Sequence, residues 1–276
     1  MVRVANCVAG AVAALLLLAP PRTADAYSAA GDRLFPATLQ LPQIAPGDEF
    51  YVWAKTLTER LGIAIEENWT RLDRVKRSTW SAMQNLDTEV KYLAVVDQPH
   101  EFLLTLGVDR EWGGTGAQRV GAFAAGATTP RLYFGKGLGD LDIGRLRPFA
   151  VAGLVGYQAA DEAPRPDLVQ AGLVVEYSIP YLQSKVESLD LPEALRGLTP
   201  MTEVLFTTPA GRSFGARTTA LVAPGFSYAG AGWELALEMM IPATRATGSG
   251  VGGIAQLHLS LDYLAPDSIG RPLFAQ

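Results

Sequence analysis

Hydrophobic and polar residues alternate along much of this chain with a period of two, as expected of strands whose successive side chains point to opposite faces. The pattern is clearest over 255–263, where Leu257, Leu259, Leu261 and Tyr263 oppose Gln256, His258, Ser260 and Asp262. Trp233, Leu235, Leu237 and Met239 repeat it against Glu234, Ala236 and Glu238. So do Val169, Ala171, Leu173, Val175 and Tyr177 against Gln170, Gly172, Val174, Glu176 and Ser178. Phe149, Val151, Gly153, Val155 and Tyr157 alternate with small residues and Gln158. Upstream, Val90, Tyr92, Ala94 and Val96 share one face, and after an Asp97–His100 turn Phe102, Leu104, Leu106 and Val108 share another. Less regular alternation predicts further strands at 49–58, 62–70, 130–137, 201–208 and 217–228. Together these make eleven strands, and an initial strand near 36–43 makes twelve, with ten as the alternative count.

The predicted strands run about nine to eleven residues, the length that crosses a bilayer at the tilt of a barrel strand. Aromatic residues fall at their ends: Trp69, Trp112, Phe149, Tyr157, Tyr177, Tyr228, Trp233 and Tyr263. Girdles at two membrane interfaces produce this placement. The expected fold is therefore all-β, an antiparallel up-and-down transmembrane β-barrel with Leu257, Leu259 and Leu261 facing lipid. The competing fold is a soluble antiparallel sandwich or small barrel, with the apolar rows turned inward. Strand length, aromatic ends and the acidic polar face favour the membrane form. Even strand number places both termini in the periplasm, which puts 71–84, 113–129, 158–167, 209–217 and 242–252 outside. Arg71–Met83 reads as a loop or short helix, and Tyr181–Leu195 as a short interfacial helix on the periplasmic side.

The first residues change this picture by adding an export signal. Arg3 precedes an apolar run from Ala5 to Ala19, then Pro20, Pro21 and Arg22, and Ala24-Asp25-Ala26 fits a cleavage site. The expected organisation is a signal peptide at 1–26, a barrel at 27–264 and a periplasmic tail at 265–276. Cys7, the sole cysteine, lies within the apolar run, so no disulfide or cysteine metal site is expected in the mature chain. The formal charge of −5 becomes −6 without residues 1–26, with 21 basic and 27 acidic side chains remaining. That balance argues against nucleic-acid binding. No later stretch approaches 18 unbroken apolar residues, so helical spans are not expected.

Candidate chemistry lies on the polar face. Glu66, Asp87, Glu89, Asp109, Glu176, Glu203, Glu234, Glu238 and Asp262, with Lys91, Arg131, Gln256 and His258, are the candidate lumen-lining residues. Charged rings in a pore set ion preference, so an open path would favour cations. Alternatively, these groups pair with one another around a narrow, plugged lumen and serve stability or binding. His258 and Ser260, at i and i+2 with Asp262 next, form the one hydrolase-like constellation. A lipid-cleaving site must face the bilayer, however, and these side chains lie on the polar face. Gly248, Gly250 and Gly253 match a dinucleotide fingerprint but precede a strand, which makes a flexible loop. Asn68-Trp69-Thr70 is a glycosylation sequon without relevance in a bacterium. Arg71, Arg74, Lys76 and Arg77 form a basic cluster that reads first as a solvated loop and, if external, suits lipopolysaccharide phosphates. Two histidines without partners at ligand spacing give no metal site, and no cofactor is expected.

Several phrases are distinctive: His100-Glu101-Phe102, Glu111-Trp112-Gly113-Gly114-Thr115-Gly116, 132–141 (Leu-Tyr-Phe-Gly-Lys-Gly-Leu-Gly-Asp-Leu), Leu146-Arg147-Pro148-Phe149-Ala150, and 177–184 (Tyr-Ser-Ile-Pro-Tyr-Leu-Gln-Ser). With the ending from Gln256 to Phe274, they resemble a bacterial outer-membrane β-barrel family with no established substrate, itself similar to transporter- and porin-like barrels linked to aromatic-compound uptake. The resemblance covers roughly residues 85–276. It implies an outer-membrane β-barrel and carries no substrate with it. The residues themselves lead to the expectation of a monomer among outer-membrane lipids and lipopolysaccharide, serving a small solute as a channel or transport-related component and not as an enzyme. Such barrels commonly finish on an aromatic residue, whereas here Tyr263 closes the predicted last strand and a tail continues to Gln276; 259–263 is the expected internal assembly signal.

Overall fold

The computed structural model describes residues 28–30, 32–36, 45, 53–72 and 79–274. The expected signal peptide lies outside the described residues, as does the expected first strand near 36–43 apart from Pro36. Two short strands, β1 (Ser28–Ala30) and β2 (Arg33–Phe35), pair as a hairpin. Next come β3 (Trp53–Thr56) and β4 (Leu61–Glu66), then a separate ribbon of β5 (Trp69–Leu72) and β6 (Trp80–Met83). The long strands follow: β7 (Leu86–Asp97), β8 (Phe102–Trp112), β9 (Ala127–Gly137), β10 (Phe149–Ala160) and β11 (Asp167–Tyr177). The last four are β12 (Leu198–Ala210), β13 (Thr219–Gly230), β14 (Trp233–Pro242) and β15 (Gly252–Leu259).

The fold is all-β. β3, β4 and β7 to β15 form one eleven-stranded antiparallel sheet in which each strand pairs with its neighbours in sequence, once the β5–β6 ribbon is set aside. Each of the eleven strands coincides with a segment of period-two alternation. Connections at one end include the four-residue turn after β7 and the two-residue turn after β13, where Gly232 adopts φ +77. A residue with a Cβ is disfavoured in that backbone region, which explains a glycine there. These connections mark the short-turn end; 113–126, 161–166, 211–218 and 243–251 lie at the other, long-loop end.

Four local expectations are corrected. Arg71–Met83 is neither loop nor helix at its described ends, because Trp69–Leu72 pairs with Trp80–Met83. Tyr181–Leu195 is broken into helical turns at Ile179–Tyr181, Leu182–Val186 and Glu193–Arg196, with Pro192 preceding the last, at the short-turn end. The last strand stops at Leu259; Leu261–Leu264 is a helical turn, so Tyr263 and Asp262 leave the strand and 259–263 is not a strand signal. A register shift between Leu93 and Val95 also moves the outward row, so Val95 takes the outward place expected for Ala94 and Val96.

The sheet is curled. Glu203 and Glu234 on its concave face are fully buried, yet among the described residues the only strands outside the sheet on that face are those of the small β1–β2 hairpin. A flat sheet with strands about 4.8 Å apart leaves that face open. The C-terminal segment requires the same curvature. Backbone N–H groups of Leu273 and Phe274 donate to Thr56 and Leu57 O at 3.1 and 2.9 Å, and Lys55 Nζ donates to Ile269 and Arg271 O at 2.8 and 2.6 Å. In a flat sheet β15 and β3 are ten spacings apart, about 48 Å. Residues 260–273 cannot reach that far, since they contain a helical turn and the turn bonds around Ala265 and Gly270. Among the described residues no ladder pairs β3 with β15.

The polarity of the two faces is inverted relative to a protein with an apolar core. Val155, Leu173 and Leu257 on the convex face are 47%, 42% and 43% exposed, and Val90, Tyr92, Leu106, Val108, Val175, Val204, Phe206, Leu235, Leu237 and Met239 are exposed with them. The buried face carries Glu89, Thr105, Gln158, Glu176, Glu203, Glu234, Glu238, Gln256 and His258. Small and apolar residues such as Ala150, Ala152, Leu103, Val174, Met201 and Ala236 separate these groups.

Candidate functional site

The concave face of the sheet is the candidate site, and strand parity places its groups. Arg131 and Tyr133, two residues apart on β9, both point inward. The Tyr133 hydroxyl donates to Glu89 Oε1 on β7. Gly107 of β8 makes this reach possible, since a Cβ there would stand 2.8 Å from the Tyr133 ring. Glu89 and Asp109 sit directly opposite each other across β7 and β8. Like charges at that position repel, and Arg131 lies between them, 3.6 Å from Glu89 and 3.3 Å from Asp109. Lys91 reaches Glu89 at 3.3 Å and stacks 4.8 Å over the Tyr133 ring. Four of the sequence-derived candidates thus form one network, with Tyr133 as a member that the sequence reading did not single out.

Toward the long-loop end Asp109 and Arg131 of this network line a cavity of about 350 Å³. Glu66, Asp87, Asp109 and Glu111 supply its acidic wall, and Arg131, Gln158 and Gln170 the facing polar groups. Glu66 and Asp87 are cross-strand partners, as are Asp87 and Glu111. The rim is tied by Arg165, which pairs with Glu111 and donates to Ala125 O at 2.8 Å, and by Asn85, which donates to Glu111 at 2.6 Å and Phe123 O at 2.9 Å. The glycines at 113–116 are part of this rim. A Cβ on Gly113 or Gly116 would overlap backbone at 124–126 or 84–85. Outside the strands, Asp161 takes both Arg110 guanidinium nitrogens at 2.7 and 2.6 Å, and that bonding holds its carboxyl below the usual carboxylate range.

The opposite wall is acidic as well. Glu176, Glu203, Glu234 and Glu238 point inward from β11, β12 and β14, with Glu238 beside Glu203. Gln256 and His258 on β15 are buried on the same face, and His258 pairs across the ladder with Glu234. Asp262 is the exception among the candidates, because it sits in the helical turn after β15. His258 and Ser260 are both buried inward, away from the exposed apolar rows.

The short-turn end is filled by the β1–β2 hairpin, which sequence reasoning missed. Ala30 and Phe35 join the buried cluster with Leu103, Tyr133, Ala150, Val174 and Ala236. Arg33 is fully buried. Its Nε donates to Glu101 Oε2 at 3.1 Å, its Nη1 to Pro148 O at 3.0 Å and its Nη2 to Arg147 O, while its guanidinium lies 3.9 Å from the Tyr181 ring centre. A three-residue strand without clear alternation gives no sequence signal for this insertion. The flanking motifs did contain its receptor, in His100-Glu101-Phe102, the glycines at 137 and 139, and 177–184.

Among the described residues no cluster of His, Cys, Asp and Glu has the arrangement to hold a metal ion, and no helix is long and apolar enough to cross a membrane. No protein-family model matches this chain and no curated protein matches it.

Proposed function

We propose that this chain closes into a β-barrel in the outer membrane of a Gram-negative bacterium and acts there as a transport-related component with an acidic interior. The supporting observation is the inverted polarity of the sheet: exposed apolar rows on the convex face and buried carboxylates on the concave one. In water, rows of exposed Val, Leu and Phe over this many strands form an apolar patch far beyond that of an ordinary monomer. In hydrocarbon the same rows are matched to their solvent, and closure of the curled sheet would leave no edge whose N–H and C=O groups lipid cannot satisfy. An eleven-residue strand rises about 3.3 Å per residue, so at a tilt near 40° it covers about 28 Å, close to the apolar band of such barrels. Aromatics mark both limits. Trp69, Trp112 and Tyr157 lie toward the long loops; Phe149 with Tyr177 (centroids 4.8 Å apart) and Tyr228 with Trp233 (5.9 Å) lie at the short turns.

The cavity at the long-loop end gives the interior a vestibule for a small cationic or polar solute. A plugged structural or binding barrel is the second reading, favoured by the β1–β2 hairpin across the short-turn end. A lipid hydrolase built on His258 and Ser260 is disfavoured, since both side chains face the interior. Membrane fractionation with heat-modifiable gel mobility tests the proposal. The expected result is an outer-membrane protein whose unheated form migrates differently from the heated one. A chain that stays monodisperse without detergent would refute the reading.

A further inference from the structure

The docking of the β1–β2 hairpin is more specific than packing alone requires. Arg33 satisfies its guanidinium with one carboxylate, two backbone carbonyls and an aromatic face, drawn from the turn after β7, the connection before β10 and the helical turn after β11. The receptor is shaped for that group. Gly137 and Gly139 carry no side chains where a Cβ would overlap the Glu101 carboxylate, Arg33 or the Tyr181 hydroxyl. Glu101 itself holds φ +49, a region uncommon for a residue with a Cβ. Its carboxylate accepts from Gly139 N at 3.1 Å and from Arg33 Nε at 3.1 Å. Backbone of this kind persists where its surroundings over-determine it and clusters at clamps and switches. By contrast, the hairpin's other polar tie among the described residues, Asp32 to Lys185 at 2.7 Å, is exposed and therefore weak. The hairpin adds no strand to the eleven-stranded sheet, so it can leave without breaking a ladder of the wall.

From this geometry we propose that the β1–β2 hairpin is a gate across the short-turn end of the interior, with Arg33 as its latch and Glu101, Pro148 and Tyr181 as the receptor. The proposal rests on the barrel reading and specifies its regulation. With the latch released, the vestibule at the long-loop end connects past Glu176, Glu203 and Glu238 to the short-turn end, and an acid-lined path of this kind passes cations in preference to anions.

Planar-bilayer recording of the refolded full chain tests this, with heat-modifiable mobility measured on the same samples. Wild type is expected to be closed nearly all the time. Arg33→Ala is expected to show discrete cation-selective steps, with open probability raised at least tenfold, as loss of a charge-assisted hydrogen bond shifts an equilibrium roughly ten- to a hundredfold. Guanidinium ion, added at millimolar concentration to refill the receptor, is expected to reclose the variant and leave wild type unchanged. Arg33→Lys keeps length and charge but cannot reproduce the planar fork; it covers the case in which Arg33→Ala does not fold, and intermediate opening is expected. If both variants are heat-modifiable yet silent, or wild type already conducts as they do, the gate proposal is overturned and the barrel stands. If no sample is heat-modifiable, the barrel reading itself falls, and the gate with it.

Discussion

Leu173 offers the most direct physical test of which solvent bathes the convex face. It lies in the middle of β11, across from Gly153 of β10 and Val204 of β12, and is 42% exposed. Replacing it by Arg adds a charge at the centre of the apolar band and removes no interior contact. On the lipid face of a barrel this costs about 2–4 kcal/mol at mid-bilayer, which lowers the folding equilibrium roughly 30- to 1,000-fold. At a water-exposed position the same change stays within about 0.5 kcal/mol. Depth supplies an internal control: Tyr157→Arg, on β10 near the long-loop end, should cost about 0–1 kcal/mol. Reversible denaturant unfolding in phospholipid vesicles, followed by tryptophan fluorescence, measures both. Equal and small effects at the two positions would show that the convex face does not meet hydrocarbon.

Three further outcomes follow from the interior and the ends. Arg131→Met leaves Glu89 and Asp109 facing each other without the cation between them, and should lose about 3–5 kcal/mol in the same unfolding assay, whereas Arg131→Lys should recover part of it. Asp161 carries a carboxyl held low by Arg110, so its contribution is present above the ordinary carboxylate value, about pH 4, and disappears as pH falls through its lowered value. The stability difference between wild type and Asp161→Asn should therefore be small but measurable at pH 7 and vanish in strong acid. Lys55→Met removes two charge-assisted bonds to the C-terminal segment and should weaken its docking by about 1.5–3 kcal/mol, read as faster proteolytic cleavage within 265–274.

The strands of the sheet were legible because each buries one face, and a period-two pattern records that directly. Arg131 and Tyr133 illustrate the same logic for the site, since equal parity on β9 already puts both inward. The β7 bulge was not legible, because Leu93-Ala94-Val95-Val96 is apolar throughout and alternation cannot show which residue is doubled. The end of β15 was misread for a related reason: Leu261 and Tyr263 keep the alternation beyond the point where the chain turns helical. Insertion of Arg33 depends on a receptor assembled from segments more than 65 residues away in sequence, and no local pattern encodes that.

The anchoring of Leu273 and Phe274 on Thr56 and Leu57 joins positions more than 200 residues apart. Contacts of such long sequence separation form late and slowly, because loop-closure entropy must be met before they stabilise anything. Until they form, nothing ties the C-terminal segment to the end of β3, and an untied sheet border can recruit strands from other copies. Residues 269–274 thus act as a tie on the β3 border, and a chain lacking them is expected to associate through that border rather than persist as a loosened monomer.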